Sequence, residues 1–260
     1  MVAARNPARE RLAKGELALG IGLRQARTID IAAVMASCGF DWLFIDLEHG
    51  TMPLDIAVQI SGAALSAGIT PLVRVPSGQY SMATRALDGG ALGIVMPHVD
   101  TAEEAKAVVD HLKYAPLGHR SVAGPQAFFG YRAVPVGEAA RTMNAETLIV
   151  VMLETPQAIA NAEAIAAVPG IDVLLIGTND LAMEMGIPGQ FGHAEIERAY
   201  ERVIAACRRH GKAPGMGGVY TEELLAKYVD LGMRMILSGN DLSLIIAGGN
   251  QKTKFLRDRG

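Results

Sequence analysis

The chain has 260 residues, half of them hydrophobic, with 24 Lys and Arg against 27 Asp and Glu and a formal net charge of -3. That length suits one large domain and is short for two ordinary ones. The charge balance leaves no basic field for nucleic acid and the aromatic content of 5% no stacking platform, so the expected partner is a small molecule. No uninterrupted apolar run approaches membrane-spanning length, and the stretch containing Arg5, Arg9, Glu10, Arg11 and Lys14 lacks the apolar centre of a signal peptide; a soluble, cytoplasmic protein is expected. Cys38 and Cys207 both lie in helical patterns and read as buried thiols rather than a bridge.

In chain order, residues 1–14 form an N-terminal arm and 17–23 the first strand. A helical pattern through Ile29, Ile31, Ala32, Val34 and Met35 stops at Gly39, and the nearly unbroken apolar run 42–47 is the kind shown by a strand covered on both faces. The alternation continues with helix 54–67, strand 70–75, helix 79–88, strand 92–97 and helix 101–113. Residues 115–135, APLGHRSVAGPQAFFGYRAVP, break the rhythm and read as a functional flap, because so long a structureless connection is unusual in a compact domain. Helix 136–145, strand 147–153, helix 156–168, strand 172–177, helix 194–210, strand 212–217, helix 221–231, strand 234–239 and a C-terminal helix from about Asp241 complete the pattern.

Eight strands alternating with helices predict an α/β protein with a single-domain (β/α)8 TIM barrel over 1–260, the arm 1–14 and a helical extension 241–260 at its ends. An open doubly wound sheet is the runner-up. It is disfavoured because Gly215-Met216-Gly217-Gly218-Val219-Tyr220 lacks the last glycine of a dinucleotide fingerprint.

In a barrel the active site lies at the carboxyl ends of the strands, and here those ends are polar. Asp46, Glu48, His49 and Gly50 follow the second strand, Arg74 ends the third, His98 and Asp100 stand near the end of the fourth, Glu154 follows the fifth, and Thr178, Asn179 and Asp180 follow the sixth. Two parallel neighbouring strands that each finish on an acid, Glu154 and Asp180, bring carboxylates within reach of one ion, and the absence of a paired Cys or His pattern favours an oxygen-loving metal such as Mg2+ or Mn2+. Bland readings stand beside these: Asp180 as a helix cap, His49 as a structural histidine, Arg74 as an ion pair to Asp46 or Glu48. Glu154 is harder to dismiss, because it follows an apolar run where an unpaired carboxylate is costly. Every lysine falls in the arm, in helices, at a strand start or in the tail, which argues against imine chemistry.

FDWLFIDLEHG at 40–50, PLVRVP at 71–76, GALGIVMPHVDTAEEA at 90–105, LGHRSVAG at 117–124, MLETPQAI at 152–159 and IGTNDLAMEMG at 176–186 together resemble the HpcH/HpaI family of metal-dependent (class II) pyruvate aldolases, and the likeness runs from about residue 15 to about 240. The resemblance implies that Glu154 and Asp180 bind a divalent metal (Mg2+, Mn2+ or Co2+), with Asp46 and Glu48 behind its waters. By the same likeness Arg74 binds the ketone oxygen, His49 pairs with Asp88 to move protons through a water, and the backbone at Gly177, Thr178 and Asn179 holds the carboxylate. Asp88 is singled out by the resemblance alone; its own pattern is that of a helix-surface acid. Two positions depart from the family pattern: Thr178-Asn179 replaces a common Pro-Ala, and Met152 replaces a common Gln.

The implied reaction is reversible cleavage of a 4-hydroxy-2-oxo acid to pyruvate or hydroxypyruvate plus an aldehyde, with the metal as Lewis acid. The aldehyde pocket is expected largely from the flap, with Phe128, Phe129 and Tyr131 as candidates, and a homo-oligomer (hexamer, trimer of dimers) with an exchanged C-terminal helix is implied. The alternatives are a related carbon–carbon lyase or mutase on an acyl thioester or phosphonate, for which Arg120 and Arg132 are the nearby cations, and a non-catalytic metabolite-binding barrel.

Overall fold

The computed structural model describes residues 5–124 and 126–259. Eight strands, β1 (Ala18–Leu23), β2 (Trp42–Asp46), β3 (Thr70–Arg74), β4 (Gly93–Met96), β5 (Leu148–Leu153), β6 (Val173–Gly177), β7 (Ala213–Gly217) and β8 (Met235–Asn240), pair in parallel and in sequence order into a closed barrel. Closure leaves no free sheet edge and points every strand's carboxyl end to one mouth.

The apolar strands lack alternation because both faces are covered. Phe44, Leu72, Val95, Val150, Met152, Val173, Leu175 and Leu237 fill the barrel interior, while their neighbours Leu43, Ile45, Val73, Ile94, Ile149, Val151, Leu174 and Ile176 pack outward in the larger cluster shared with the helices. Trp42 is fully buried low in the interior, donating its indole N–H to Ala18 O at 3.1 Å. The Cβ of any larger residue at Gly20 would stand 2.0 Å from that ring, so the glycine is what admits the tryptophan.

The end opposite the mouth is closed by a helix, Pro7–Ala13, within the stretch expected as an arm. Asn6 caps it, accepting from Arg9 N–H at 3.1 Å, and donates to Glu146 O at 2.7 Å; the Thr70 hydroxyl donates to Asn6 Oδ1 at 2.9 Å. Three further expectations change. The helix expected over 156–168 is two short helices, Pro156–Ala160 and Ala162–Ala166, meeting at Asn161, whose side chain donates to Asp100 O at 2.8 Å. Residues 178–184 form a helix directly after β6 with Gly177 at its cap and Asp180 inside its first turn, so Asp180 does not cap it. Cys38 is exposed, and only Cys207 is buried. No helix among the described residues is long and apolar enough to cross a membrane.

Filling the space that Trp42 occupies should be costly. Gly20→Val is expected to lower unfolding stability by about 1–3 kcal/mol, measured by chemical denaturation, with the barrel's circular dichroism preserved.

Candidate active site

The ladder between β2 and β3 sets Asp46 beside Arg74, the last residues of the two strands. Arg74 Nε and Nη2 donate to the two oxygens of Asp46 at 3.0 and 2.6 Å, and its guanidinium carbon lies 4.9 Å from the centre of the Phe44 ring. The third nitrogen, Nη1, is 2.9 Å from Glu48 Oε2, close enough for charge attraction but misaligned, so that this buried oxygen accepts no hydrogen bond. Asp46 Oδ1 also accepts the backbone N–H groups of Glu48 and His49, each at 3.1 Å. One carboxylate therefore aims the arginine and folds the turn that carries Glu48 and His49. Burial pushes the Asp46 carboxyl up, but hydrogen bonds and charge from Arg74, with the two backbone donors, hold it below the ordinary value.

Across the mouth, Leu153 pairs with Ile176, so Glu154 leaves β5 beside Gly177. The Glu154 carboxylate lies against that glycine: a Cβ there would stand 2.6 Å from Oε1. Glu154 is 1% exposed, and burial raises its pKa against the lowering effect of His98, with the negative charge of Asp180 adding to the rise. Its Oε2 accepts the His98 N–H at 2.8 Å and lies 3.2 Å from His98 Nδ1, while His98 Nε2 is 3.7 Å from Glu48 Oε1. His98, with left-handed φ of 53°, thus bridges the two acids. It stood among the polar strand-end residues in the sequence, but nothing in its spacing signalled a bridge between Glu48 and Glu154.

A cavity of about 210 Å³ occupies the mouth, with Arg74, His49, Met152, Gly177, Asn179 and Asp180 on its walls. The Thr178 side chain is turned away from it: fully buried, its hydroxyl donates to Gly217 O at 2.8 Å and lies 2.7 Å from the Tyr200 hydroxyl, tying β6 to β7. Any part Thr178 has in binding is therefore through its backbone.

The expected pair of His49 and Asp88 does not form within the chain. Asp88, the last residue of helix Tyr80–Asp88, accepts from Arg120 Nη2 at 2.6 Å, and among the described residues no ion pair joins it to His49. Arg120 is buried and stacks 4.6 Å over the Tyr114 ring, so the flap's own arginine has claimed the acid. His49 is half exposed, its Nε2 3.9 Å from Glu48. Nor does the flap wall the mouth: Tyr114, Phe129 and Val134 line a separate cavity, Phe128 is core, and Tyr131 is exposed. Pro125 of that flap lies outside the described residues.

The donor set fits a divalent cation. Asp46, Glu48, Glu154 and Asp180 face the two guanidiniums of Arg24 and Arg74, an excess of two negative charges. Glu154 Oε1 accepts no hydrogen bond among the described residues, although the side chain is buried. Among the described residues no group of three or more His, Cys, Asp or Glu side chains is placed to hold an ion, so a cation here would take one or two carboxylates and complete its shell with water or substrate oxygens.

A parallel barrel whose acids and arginines converge on a cavity at the strand ends is the arrangement of a barrel enzyme acting on a small anionic substrate. The chain belongs to the HpcH/HpaI aldolase/citrate lyase family, whose model matches residues 23–247. It is 42% identical over 237 residues to the 4-hydroxy-4-methyl-2-oxoglutarate aldolase cghB of Chaetomium globosum, covering 90% of this chain and 88% of that one. It is 37% identical to a 4-hydroxy-2-oxovalerate aldolase of Rhodococcus jostii, covering 92% of each. The HpcH/HpaI aldolase structure from Desulfitobacterium hafniense superposes with a TM-score of 0.90 at 28% identity, covering 96% of each chain.

Because the Asp46 pKa lies below 3.8 in the folded state, its contribution to stability is present in full above that value and is lost as pH falls through the folded pKa. Asp46→Asn is expected to remove this acid-limb dependence and to cost about 3–5 kcal/mol at neutral pH by leaving Arg74 buried and half paired; unfolding curves between pH 2 and 7 (roughly the window of carboxylate titration) read both effects.

Proposed function

We infer that this protein catalyses reversible aldol cleavage of a 4-hydroxy-2-oxo acid to pyruvate, or hydroxypyruvate, and a carbonyl partner. The observation that carries the reading is a buried arginine and a buried, underbonded carboxylate set at one barrel mouth, in a member of this family. Glu154 and Asp180 would hold a divalent ion, Mg2+, Mn2+ or Co2+, which when bound supplies Lewis-acid polarisation of the oxo acid.

The remaining steps belong to the chain's own groups. Arg74, fixed by Asp46, faces the ketone oxygen, where negative charge grows as the bond between C3 and C4 breaks. Phe44 beneath the guanidinium and the walls of the cavity keep that charge in a poorly solvated setting. His49 reaches the cavity from the turn after β2 and, through a water, takes the proton from the C4 hydroxyl and returns one to C3 of the pyruvate enolate. The pair of electrons from the broken bond remains on the pyruvate half until that protonation. Backbone at Gly177, Thr178 and Asn179 receives the carboxylate, and Asp46 and Glu48 hold the surrounding waters and Arg74. Asp88, engaged by Arg120, is left out of this scheme within one chain.

Exposed Leu244, Ile245, Ile246, Phe255 and Leu256 on helix Asp241–Arg257 support a homo-oligomer with that helix exchanged between subunits, a hexamer in this reading. The proposed location is the cytoplasm, a compartment in which free thiols such as Cys38 and Cys207 stay reduced.

With 4-hydroxy-2-oxovalerate as substrate, pyruvate release should require added Mg2+, Mn2+ or Co2+ and stop on chelation. Glu154→Gln and Asp180→Asn should be inactive yet folded, and Arg74→Ala should lose about 10²–10³ in kcat. Turnover that ignores the chelator, or full activity in either acid variant, sinks the reading.

A further inference from the structure

Arg24 stands at the mouth without a task in the scheme above. It follows β1, and the loop that carries it is clamped: the backbone N–H groups of Arg24, Gln25 and Ala26 all donate to the carboxylate of Asp241, at 2.9, 2.9 and 2.7 Å. Asp241 is 2% exposed, at the start of the helix after β8. A buried carboxylate that accepts three consecutive backbone donors fixes a turn far more firmly than an ordinary surface arginine requires. The clamp thus decides the direction in which the Arg24 side chain leaves the barrel.

That direction is into the cavity. Arg24 lines it together with His49, Arg74 and Tyr220, and also lines a small adjoining recess that reaches Gly22 and Asn240. Its side chain is 46% exposed, and among the described residues its guanidinium donates no hydrogen bond to the protein; the one carboxylate within 4.0 Å is Asp46, whose Oδ2 lies 3.9 Å away and is already taken by Arg74 at 2.6 Å. The two arginines therefore differ in kind. Arg74 is 5% exposed and commits Nε and Nη2 to Asp46, with Nη1 drawn toward Glu48 by charge alone, whereas neither face of the Arg24 fork donates to the protein among the described residues.

A guanidinium with a free fork is a receptor for a carboxylate, which it grips through two parallel bonds. Both guanidiniums flank the same oxygen of Asp46, so a substrate whose ketone oxygen meets Arg74 presents to Arg24 a group only a few atoms further along its chain. We propose that Arg24 binds the distal carboxylate of a 4-hydroxy-2-oxo dicarboxylate, making the carbonyl partner of the reaction an anionic oxo acid rather than a neutral aldehyde. The inference rests on the aldolase reading for the chemistry, and on the clamp and the free fork for the specificity. The bond changes stay those of an aldol cleavage: C3–C4 breaks with its electron pair left on the C3 enolate, the C4 hydroxyl loses its proton while C3 gains one, and C4 becomes the carbonyl carbon of the second oxo acid, a ketone where C4 carries a methyl group.

The test separates binding from turnover. Calorimetry on the Mg2+-loaded protein compares 2-oxoglutarate with 2-oxopentanoate, chains of equal length that end in a carboxylate or a methyl group. 2-Oxoglutarate should bind about tenfold tighter or more; Arg24→Leu should shrink the gap to about twofold, and Arg24→Lys should keep part of it. In turnover, the ratio of kcat/KM for 4-hydroxy-4-methyl-2-oxoglutarate over 4-hydroxy-2-oxovalerate should fall about tenfold or more in Arg24→Leu, chiefly through KM. A wild-type protein that cleaves 4-hydroxy-2-oxovalerate but binds the two probes equally, or a gap that survives Arg24→Leu, overturns the Arg24 assignment alone. A gap that depends on Arg24 in a protein that cleaves neither substrate overturns the aldolase reading and leaves the carboxylate receptor standing.

Discussion

The placing of the Glu154 carboxylate against Gly177 is the contact on which the rest of the mouth depends. A carboxylate that is 1% exposed is unfavourable in its charged form, and among the described residues the groups that offset this are the N–H and ring of His98 on one side and, at longer range, the charge of Arg74. Gly177 clears the other side, where a side chain of any size would fill the space. The barrel sets this contact because β5 and β6 are hydrogen-bonded neighbours in a register that ends on these two residues. The same crossover carries Asp180 just beyond, close enough for its charge to be felt at Glu154.

Charge at the mouth is arranged in two layers. The pair of Asp46 and Arg74 is internally compensated: two hydrogen bonds join it, two backbone donors complete Asp46, and Phe44 covers the guanidinium. Such a pair adds little net stability when buried, but it holds an arginine in one orientation at negligible reorganisation cost. Glu154, Glu48 and Asp180 are not compensated in this way, and Glu48 Oε2 is left without a hydrogen bond. In the proposed reading the positioning pair is satisfied within the protein, and the carboxylates that would hold a cation and its waters keep unused acceptor capacity.

Specificity then rests on the loops rather than on the strands. The turn after β1 is pinned by Asp241, from the far end of the chain, so the two termini of the barrel cooperate to present Arg24. The flap 115–135, which its length marks out for function, instead packs Phe128 into a side cluster and uses Arg120 to hold Asp88. Within one chain the flap therefore acts on the helix after β3 and not on the cavity.

The sequence by itself determined an alternating α/β pattern with the barrel as its leading architecture, because short unbroken apolar runs such as Trp42–Ile45 and Val150–Leu153 suit strands covered on both faces and eight of them alternate with helical periods; closure of the sheet was settled by the strand pairing. It also determined which residues stand at the mouth, since a residue that follows a parallel strand has no other place to go; Asp46, Arg74, Glu154 and Asp180 were legible on that ground. The helix Pro7–Ala13 was not, being short and held through its cap Asn6 to Thr70 and Glu146, which are remote in the chain, rather than by its own periodicity. What only the tertiary structure decided was pairing. That Asp88 meets Arg120 and not His49, that His98 spans Glu48 and Glu154, that Thr178 turns inward to Tyr200, and that Asp241 holds the Arg24 loop 217 residues away are contacts between segments remote in the chain. Spacing along a strand or helix carries no information about them, because hydrogen bonds and ion pairs form between whatever groups closure of the barrel brings within reach.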